Sequence, residues 1–205
     1  MQRIAVTGSV GTGKSTFCTM LKALGATVVS ADAIVHALLA HSHFVNQQLV
    51  QRFGDQIIVD GAPCRKRLAK AVFNSSDDLT FLEQLLHPLV FEEIQKLARQ
   101  AEQENVPLFV AEVPLLFEGK HRNDYGLPIV VIDTPERSLE RWISNGRDPT
   151  DFQQRNQRLL PLNQKIPLAH TVIDNSSDLQ HLHGQARSLY ETLVKKNGSD
   201  DKNCS

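Results

Sequence analysis

Two kinds of apolar spacing divide this chain. Short, nearly uninterrupted apolar runs occur at Ile4-Ala5-Val6, Ala26 to Val29, Pro107 to Ala111, Ile129 to Ile132 and Thr171-Val172-Ile173. Runs of that length without polar alternation suit strands buried on both faces of a parallel sheet. Elsewhere apolar residues recur every three or four positions: Phe17, Met20, Leu21 and Leu24 before Gly25, then Ile34, Leu38 and Leu39, then Val45, Leu49 and Val50. That spacing predicts amphipathic helices, with an interruption at His41-Ser42-His43 and a stop at Gly25. Leu82, Leu85 and Leu86 lead into His87-Pro88, and Leu89, Val90, Ile94 and Leu97 resume the pattern. Proline disfavours a helical predecessor and lacks an N–H, so a break between two helices is expected at His87. Gly54 to Pro63 reads as a loop with a short extended run at Ile57-Ile58-Val59, and Leu179 to Val194 as a last helix. Strands alternating with helices predict an α/β fold whose five-stranded parallel sheet is flanked by helices. One domain over 1–194 is expected, with a largely helical subdomain at about 34–105 and a polar, disordered tail at 195–205.

The chemistry concentrates at the carboxyl ends of the predicted strands. Gly8-Ser9-Val10-Gly11-Thr12-Gly13-Lys14-Ser15 follows the first of them and reads G-x-x-x-x-G-K-S. Such a loop aims backbone N–H groups at polyphosphate oxygens beside a helix N-terminus. Lys14 reaches the β- and γ-phosphates of a bound nucleotide, and the Ser15 hydroxyl ligates Mg²⁺. Asp32 stands just after the second strand, where ligands bind in open parallel sheets. The third and fourth strands end in Glu112 and Asp133, and spacing alone leaves either one a candidate second ligand for the metal. Pro114 opens an apolar segment that should leave the sheet and line the site. Arg65-Lys66-Arg67 begins a helix and is a candidate anion contact, although a basic triplet there is equally suited to a solvated face. Arg137, Arg141, Arg147, Arg155 and Arg158 crowd into about 135–165, a composition expected of a mobile lid over the nucleotide.

The totals narrow the partners. The 205 residues are 41% hydrophobic and 22% charged with net charge −1, values of an ordinary globular protein without a surface-wide basic face for nucleic acid. No apolar run approaches the ~18 residues a membrane helix needs, and the first strand begins too early for a leader, so a cytoplasmic enzyme without membrane partners is expected. Cys18, Cys64 and Cys204 are widely spaced and read as free thiols.

The phosphate-loop stretch Thr7 to Thr16, Ala31-Asp32, Leu86-His87-Pro88, Val113-Pro114-Leu115-Leu116-Phe117-Glu118, Arg141 and Val172-Ile173-Asp174-Asn175 together carry a resemblance. The chain resembles the bacterial dephospho-coenzyme A kinases, a P-loop kinase family, over nearly its whole length to about residue 190. The resemblance implies transfer of the γ-phosphoryl group of ATP, with Mg²⁺, to the ribose 3′-hydroxyl of dephospho-coenzyme A. A monomer or weak homo-oligomer is expected. It implies that Asp32 is the base, and that Lys14 and Arg141 stabilise the transferring group. It places Gly11, Thr12, Gly13, Lys14, Ser15 and Thr16 on the phosphates and Asn175 near adenine. Thr7, Asp32, Arg65, His87, Pro114, Leu115 and Leu116 then surround the acceptor. Ser15, from the loop motif, and Glu112, from its strand-end position, are taken as the metal ligands, with Asp133 the alternative to Glu112. The chain departs from the family pattern at Ser30, Cys64, Asn145, Leu159 and His170, and Arg147 is the nearest replacement for the arginine expected at Asn145. A guanine-reading N-K-x-D segment is absent, which disfavours a GTPase switch. A nucleoside or nucleoside monophosphate kinase of the same architecture is the alternative, and His87-Pro88 with Pro114 to Glu118 argue against it.

Overall fold

A computed structural model describes residues 1–59, 61–73, 75–119 and 122–200, without the side chains of Arg65, Phe73 and 196–200. Cys204 lies outside the described residues. In chain order the elements are β1 (Gln2–Thr7), α1 (Lys14–Ala23), β2 (Thr27–Ser30), α2 (Ala31–His41), α3 (His43–Phe53), β3 (Ile58–Val59), β4 (Ala62–Pro63), α4 (Arg65–Phe73) and α5 (Ser76–Gln103). They continue with β5 (Leu108–Glu112), β6 (Leu127–Ile132), α6 (Pro135–Ser144), α7 (Pro149–Gln157), α8 (Leu162–Lys165), β7 (Thr171–Asp174) and α9 (Leu179–Asp200).

Among the described residues the five apolar runs form one five-stranded parallel sheet, ordered β2-β5-β1-β6-β7. The sheet is the core of a unit comprising 1–30 and 97–205. Ile4, Val6, Leu108, Val110, Ile129 and Val131 are buried with Phe17 and Leu21 of α1 and Leu182, Ala186 and Leu189 of α9. Registers bring Val6 beside Glu112, Glu112 beside Ser30, and Ile132 beside Asp174. Every strand runs in the same direction, so these carboxyl ends share one edge, and β1 lies at its middle. That edge is where an open α/β sheet binds its ligand.

The second unit, 31–96, has its own core of Leu39, Val45, Leu49, Ile57, Leu68, Val72 and Leu86. The interruption expected at His41-Ser42-His43 is a capped junction: Ser42 Oγ accepts the Val45 N–H at 3.3 Å and starts α3. The Gly54 to Pro63 loop contains a 3₁₀ turn at Asp55–Ile57 and the small β3–β4 hairpin, so Ile57 belongs to the turn and not to the extended run.

The break expected at His87-Pro88 is not formed. α5 continues from Ser76 to Gln103 with Pro88 inside it. Leu86, Val90 and Ile94 are all buried, so one helical face is held on both sides of the proline, and this packing outweighs the lost N–H. The last helix also passes its predicted stop at Val194 and reaches Asp200. Lys195 pairs there with Glu191 one turn back at 3.6 Å, and lysine is a good helix former, so polar composition alone does not end a helix. Residues 201–205 lie outside the described residues.

Pro88→Ala restores a helix donor and removes the ring from the preceding turn. The variant should be more stable by ~1–2 kcal/mol, a fraction of the full cost of an interior proline offset by a freer unfolded chain. A chemical denaturation midpoint at or below that of the wild type would show that α5 is adapted to the proline.

Candidate active site

The phosphate loop joins β1 to α1 as the sequence predicts, and its geometry shows why small residues are needed. Gly11 has φ 76°, and a Cβ there would lie 2.3 Å from the Ser138 carbonyl oxygen on α6. Gly13 has φ 91°, and its Cβ would lie 2.2 Å from Asn175 Nδ2. Both positions therefore combine a left-handed backbone with a close neighbour, and glycine satisfies both demands.

A loop that turns its N–H groups inward turns its carbonyls outward, and these are met by side chains. Lys14 Nζ donates to Ser9 O at 2.7 Å and Gly8 O at 3.2 Å, and Thr12 Oγ1 donates to Ser9 O at 3.0 Å. Asn175, 5% exposed just beyond β7, donates through Nδ2 to Thr12 O at 2.9 Å. Arg141 Nη1 donates to Gly11 O while its Nη2 lies 2.7 Å from Asp133 Oδ2. One loop N–H is engaged too: Asn156 Oδ1 on α7 accepts from Val10 N at 3.0 Å. No pattern in the sequence marks Asn156. Its position between Arg155 and Arg158 in a polar helix resembles any solvated face.

The two carboxylates left open as metal ligands are in different states. Ser15 Oγ donates to Glu112 Oε1 at 2.7 Å, which joins the loop hydroxyl to the end of β5. The Asp133 side chain, fully buried, meets Arg141 at 2.7 Å and Arg137 Nε at 3.4 Å, and also accepts the Thr134 N–H at 2.7 Å. Asp133 therefore holds the base of α6. Ser15 and Glu112 are hard oxygen donors within reach of one small cation, which fits Mg²⁺ held by few protein ligands together with phosphates. Among the described residues no cluster of three or more His, Cys, Asp or Glu side chains forms an all-protein metal site.

The remaining arginines of 135–165 divide by contact. Arg137 donates to Ser177 O at 2.6 Å. Arg147 and Arg155 lie over the Trp142 ring at 4.5 and 5.6 Å, so both guanidinium groups are engaged with an aromatic face. Asn145, where the family pattern has an arginine, donates to Arg141 O at 2.8 Å and ends α6. The lid is thus three short helices, with Trp142 packed against Phe152 at 6.1 Å.

On the other side of β1, the segment after β5 leaves the sheet as expected. Val113 N donates to Val6 O at 2.9 Å, and the buried Thr7 hydroxyl donates to Pro114 O at 3.0 Å. Leu116 is buried and Leu115 half-buried. Cys18 lies buried on α1; burial pushes its thiol well up, Glu112 adds to the rise and Lys14 opposes it, which disfavours the thiolate. Thr7, Gly11 to Thr16, Glu112, Pro114 to Leu116, Arg141 and Asn175 all belong to the sheet-containing unit. Asp32, Arg65 and His87 belong to the second unit. Asp32 is exposed in the first turn of α2, His87 is exposed on α5, and the Arg65 side chain lies outside the described residues.

A parallel α/β sheet with a G-x-x-x-x-G-K-S loop after its central strand and an arginine-bearing helical lid defines a P-loop kinase. The dephospho-CoA kinase family model matches residues 2–181, and the chain belongs to that family. It is 35% identical to a dephospho-CoA kinase of Aquifex aeolicus, over 95% of this chain and 99% of the relative. It is 38% identical to one of Protochlamydia amoebophila, over 94% and 97%. A crystal structure of a Thermus thermophilus protein superposes with TM-score 0.75 at 26% identity, covering 93% of this chain and 96% of that one. A shikimate kinase of Acinetobacter baumannii, 14% identical over 96% and 94%, shares the fold alone at TM-score 0.53. The protein is an ATP-dependent kinase of dephospho-CoA, a transferase of coenzyme A synthesis.

Gly11→Ala tests the contact between loop and lid. The variant should lose at least ~1–2 kcal/mol of stability from the left-handed backbone alone, with weaker ATP binding because the loop must shift away from Ser138. Unchanged melting and ATP affinity would mean that α6 yields at no cost.

Proposed function

We propose that the γ-phosphoryl group of ATP is transferred to the ribose 3′-hydroxyl of dephospho-coenzyme A, with Asp32 as the base and Ser15 and Glu112 as the protein's Mg²⁺ ligands. The observation that carries the metal assignment is the 2.7 Å contact between Ser15 Oγ and Glu112 Oε1, beside the loop that binds phosphate. Ser15 and Glu112 would hold Mg²⁺ there, and the ion would supply positive charge to offset that of the phosphates.

The protein's own groups do the rest. N–H groups of Gly11 through Thr16 hold the phosphates at the start of α1, and Lys14 exchanges its carbonyl partners Gly8 and Ser9 for phosphate oxygens. Arg141 is anchored on Asp133 and on the Gly11 carbonyl, so its charge is already at the loop when the γ-phosphoryl group begins to move. Asp32 follows β2 directly, and its exposed carboxylate can accept a proton from a bound alcohol. As the hydroxyl oxygen bonds to the γ-phosphorus, the bond to ADP breaks, and Asp32 takes the hydroxyl proton and returns it to solvent. Thr7, Pro114, Leu115, Leu116, Arg65 and His87 are assigned to the acceptor, and Asn175 to the adenine side. Pro114 is the best supported of these, because its carbonyl is fixed by Thr7 at the end of β1. The working form is taken to be a cytoplasmic monomer or weak homo-oligomer acting on small molecules; no helix among the described residues is long and apolar enough to cross a membrane.

Purified protein with ATP and Mg²⁺ should phosphorylate dephospho-coenzyme A far better than adenosine or any nucleoside monophosphate, since remote contacts orient the ribose. A nucleoside monophosphate with the higher kcat/KM would replace this acceptor.

Asp32→Asn should lower kcat by ~10²- to 10⁴-fold, the range for a positioned general base, with ATP affinity unchanged. α2 begins at Ala31, so Asp32 lies inside its first turn and not at the capping position before it. Lower stability with intact turnover would reduce Asp32 to a favourable charge at a helix start.

Glu112→Gln keeps the size of the side chain and removes its charge. The concentration of Mg²⁺ giving half-maximal rate should rise at least ~10-fold, while the variant at saturating Mg²⁺ recovers much of its activity. An unaltered Mg²⁺ dependence would remove Glu112 from the metal.

A further inference from the structure

Lys165 closes α8 with its side chain fully buried. Its Nζ lies 3.0 Å from Glu118 Oε1 and 3.5 Å from the Pro114 carbonyl oxygen. Glu118 Oε1 also accepts the Leu160 N–H at 2.5 Å, and its side chain is 19% exposed. Pro114 O is the same atom that accepts the Thr7 hydroxyl at 3.0 Å. One ammonium therefore meets both ends of the short segment Pro114 to Glu118, where the chain leaves the sheet and turns. Removing an ammonium from water forfeits its hydration, and protein oxygens must replace it. Here those oxygens belong to the turn itself.

A lysine this close to a phosphate-transfer site invites a role on the phosphates. Burial argues against that, because its charge is directed at protein oxygens with no open path to solvent. Lys14 and Arg141, on the phosphate loop and on α6, supply that charge in its place.

We infer that Lys165 is a positioning residue for the acceptor: its buried ammonium sets the shape of Pro114 to Glu118 and thereby the fit of dephospho-coenzyme A. The inference rests on the assignment of that segment to the acceptor side. Thr7 and Lys165 share the Pro114 carbonyl, so one end of the turn is referenced to β1 at the phosphate loop. The other end is referenced through Glu118 to Leu160, in the connection between α7 and α8. Loss of the ammonium leaves Pro114 with Thr7 alone and Glu118 without its cation. The turn then moves relative to the loop, and a small displacement of a substrate-orienting group costs rate out of proportion to its size.

The test is steady-state kinetics on full-length Lys165→Met, Glu118→Gln and Leu115→Ala, with melting curves on the same preparations. Lys165→Met should raise KM for dephospho-coenzyme A at least ~10-fold and leave KM for ATP within about 2-fold. Glu118→Gln keeps an oxygen for the Leu160 N–H and should show a smaller change of the same kind. Leu115→Ala probes the acceptor assignment without touching Lys165, and should also raise KM for dephospho-coenzyme A. A Lys165→Met protein that melts earlier with both KM values unchanged, or one that raises both alike, overturns the inference. If Leu115→Ala raises the acceptor KM and Lys165→Met does not, the inference fails alone. If neither does, it fails together with the acceptor assignment. Should Lys165→Met not fold, Glu118→Gln is judged by the same split between the two KM values.

Discussion

A phosphate loop presents its amides to the ligand only if something else takes its carbonyls. Buried backbone oxygens without partners are costly, so the outward face of the loop is as demanding as the inward one. In this protein two of the donors are local, Thr12 and Lys14 of the loop itself, and two arrive from distant parts of the chain, Arg141 from α6 and Asn175 from the end of β7. The sheet order makes this possible. β1 is central, β6 and β7 follow on one side, and the connections leaving their carboxyl ends bring α6 and Asn175 to the loop. The position of the lid's first helix, the identity of residue 175 and the need for glycine at 11 and 13 all follow from satisfying the back of one turn.

That dependence explains what could be read from the sequence. The loop is written in eight consecutive residues whose spacing has its own chemistry, and the strands are apolar runs whose burial is independent of partners. The supports of the loop are single polar side chains 130 and 163 residues away in sequence, with no periodicity to announce them. Asn156 is the extreme case, one asparagine among polar neighbours that happens to face the Val10 amide. Resemblance to a family supplied Arg141 and Asn175 as important positions. Their contacts with loop carbonyls came from the structure.

Pro88 shows the opposite failure, a strong local signal overruled. The rule that proline ends a helix concerns one donor and one ring clash. Against it stand buried side chains on both sides of the proline, Leu86 behind and Val90 and Ile94 ahead. Each fully buried aliphatic side chain contributes ~1.5–3 kcal/mol, and together they exceed the ~3 kcal/mol cost of the proline. The same arithmetic does not arise at Ser42, where a helix start, a capping hydroxyl and the apolar pattern all agree. Local sequence is decisive where no tertiary term opposes it.

The choice between Glu112 and Asp133 turns on what each carboxylate already holds. Both follow apolar runs, but Glu112 is the last residue of β5, level with Val6 and Ile129, while Asp133 lies just beyond the end of β6. Asp133 is fully buried, with two guanidinium groups and a backbone amide on its oxygens, so a metal there would have to displace cations that also fix α6. Glu112 is half-buried and accepts from a hydroxyl, a group that can turn its proton away and offer the same oxygen to a cation. Strand register reinforces the difference, since Glu112 sits beside Val6 one residue short of the loop, with Ser30 on its other flank. Ser30 stands where the family pattern has an aspartate, so among these three neighbouring strand ends Glu112 supplies the negative charge. On the proposed assignment of the cation to Ser15 and Glu112, further fixed negative charge at these strand ends would hold a metal more tightly but repel the polyphosphate that shares it.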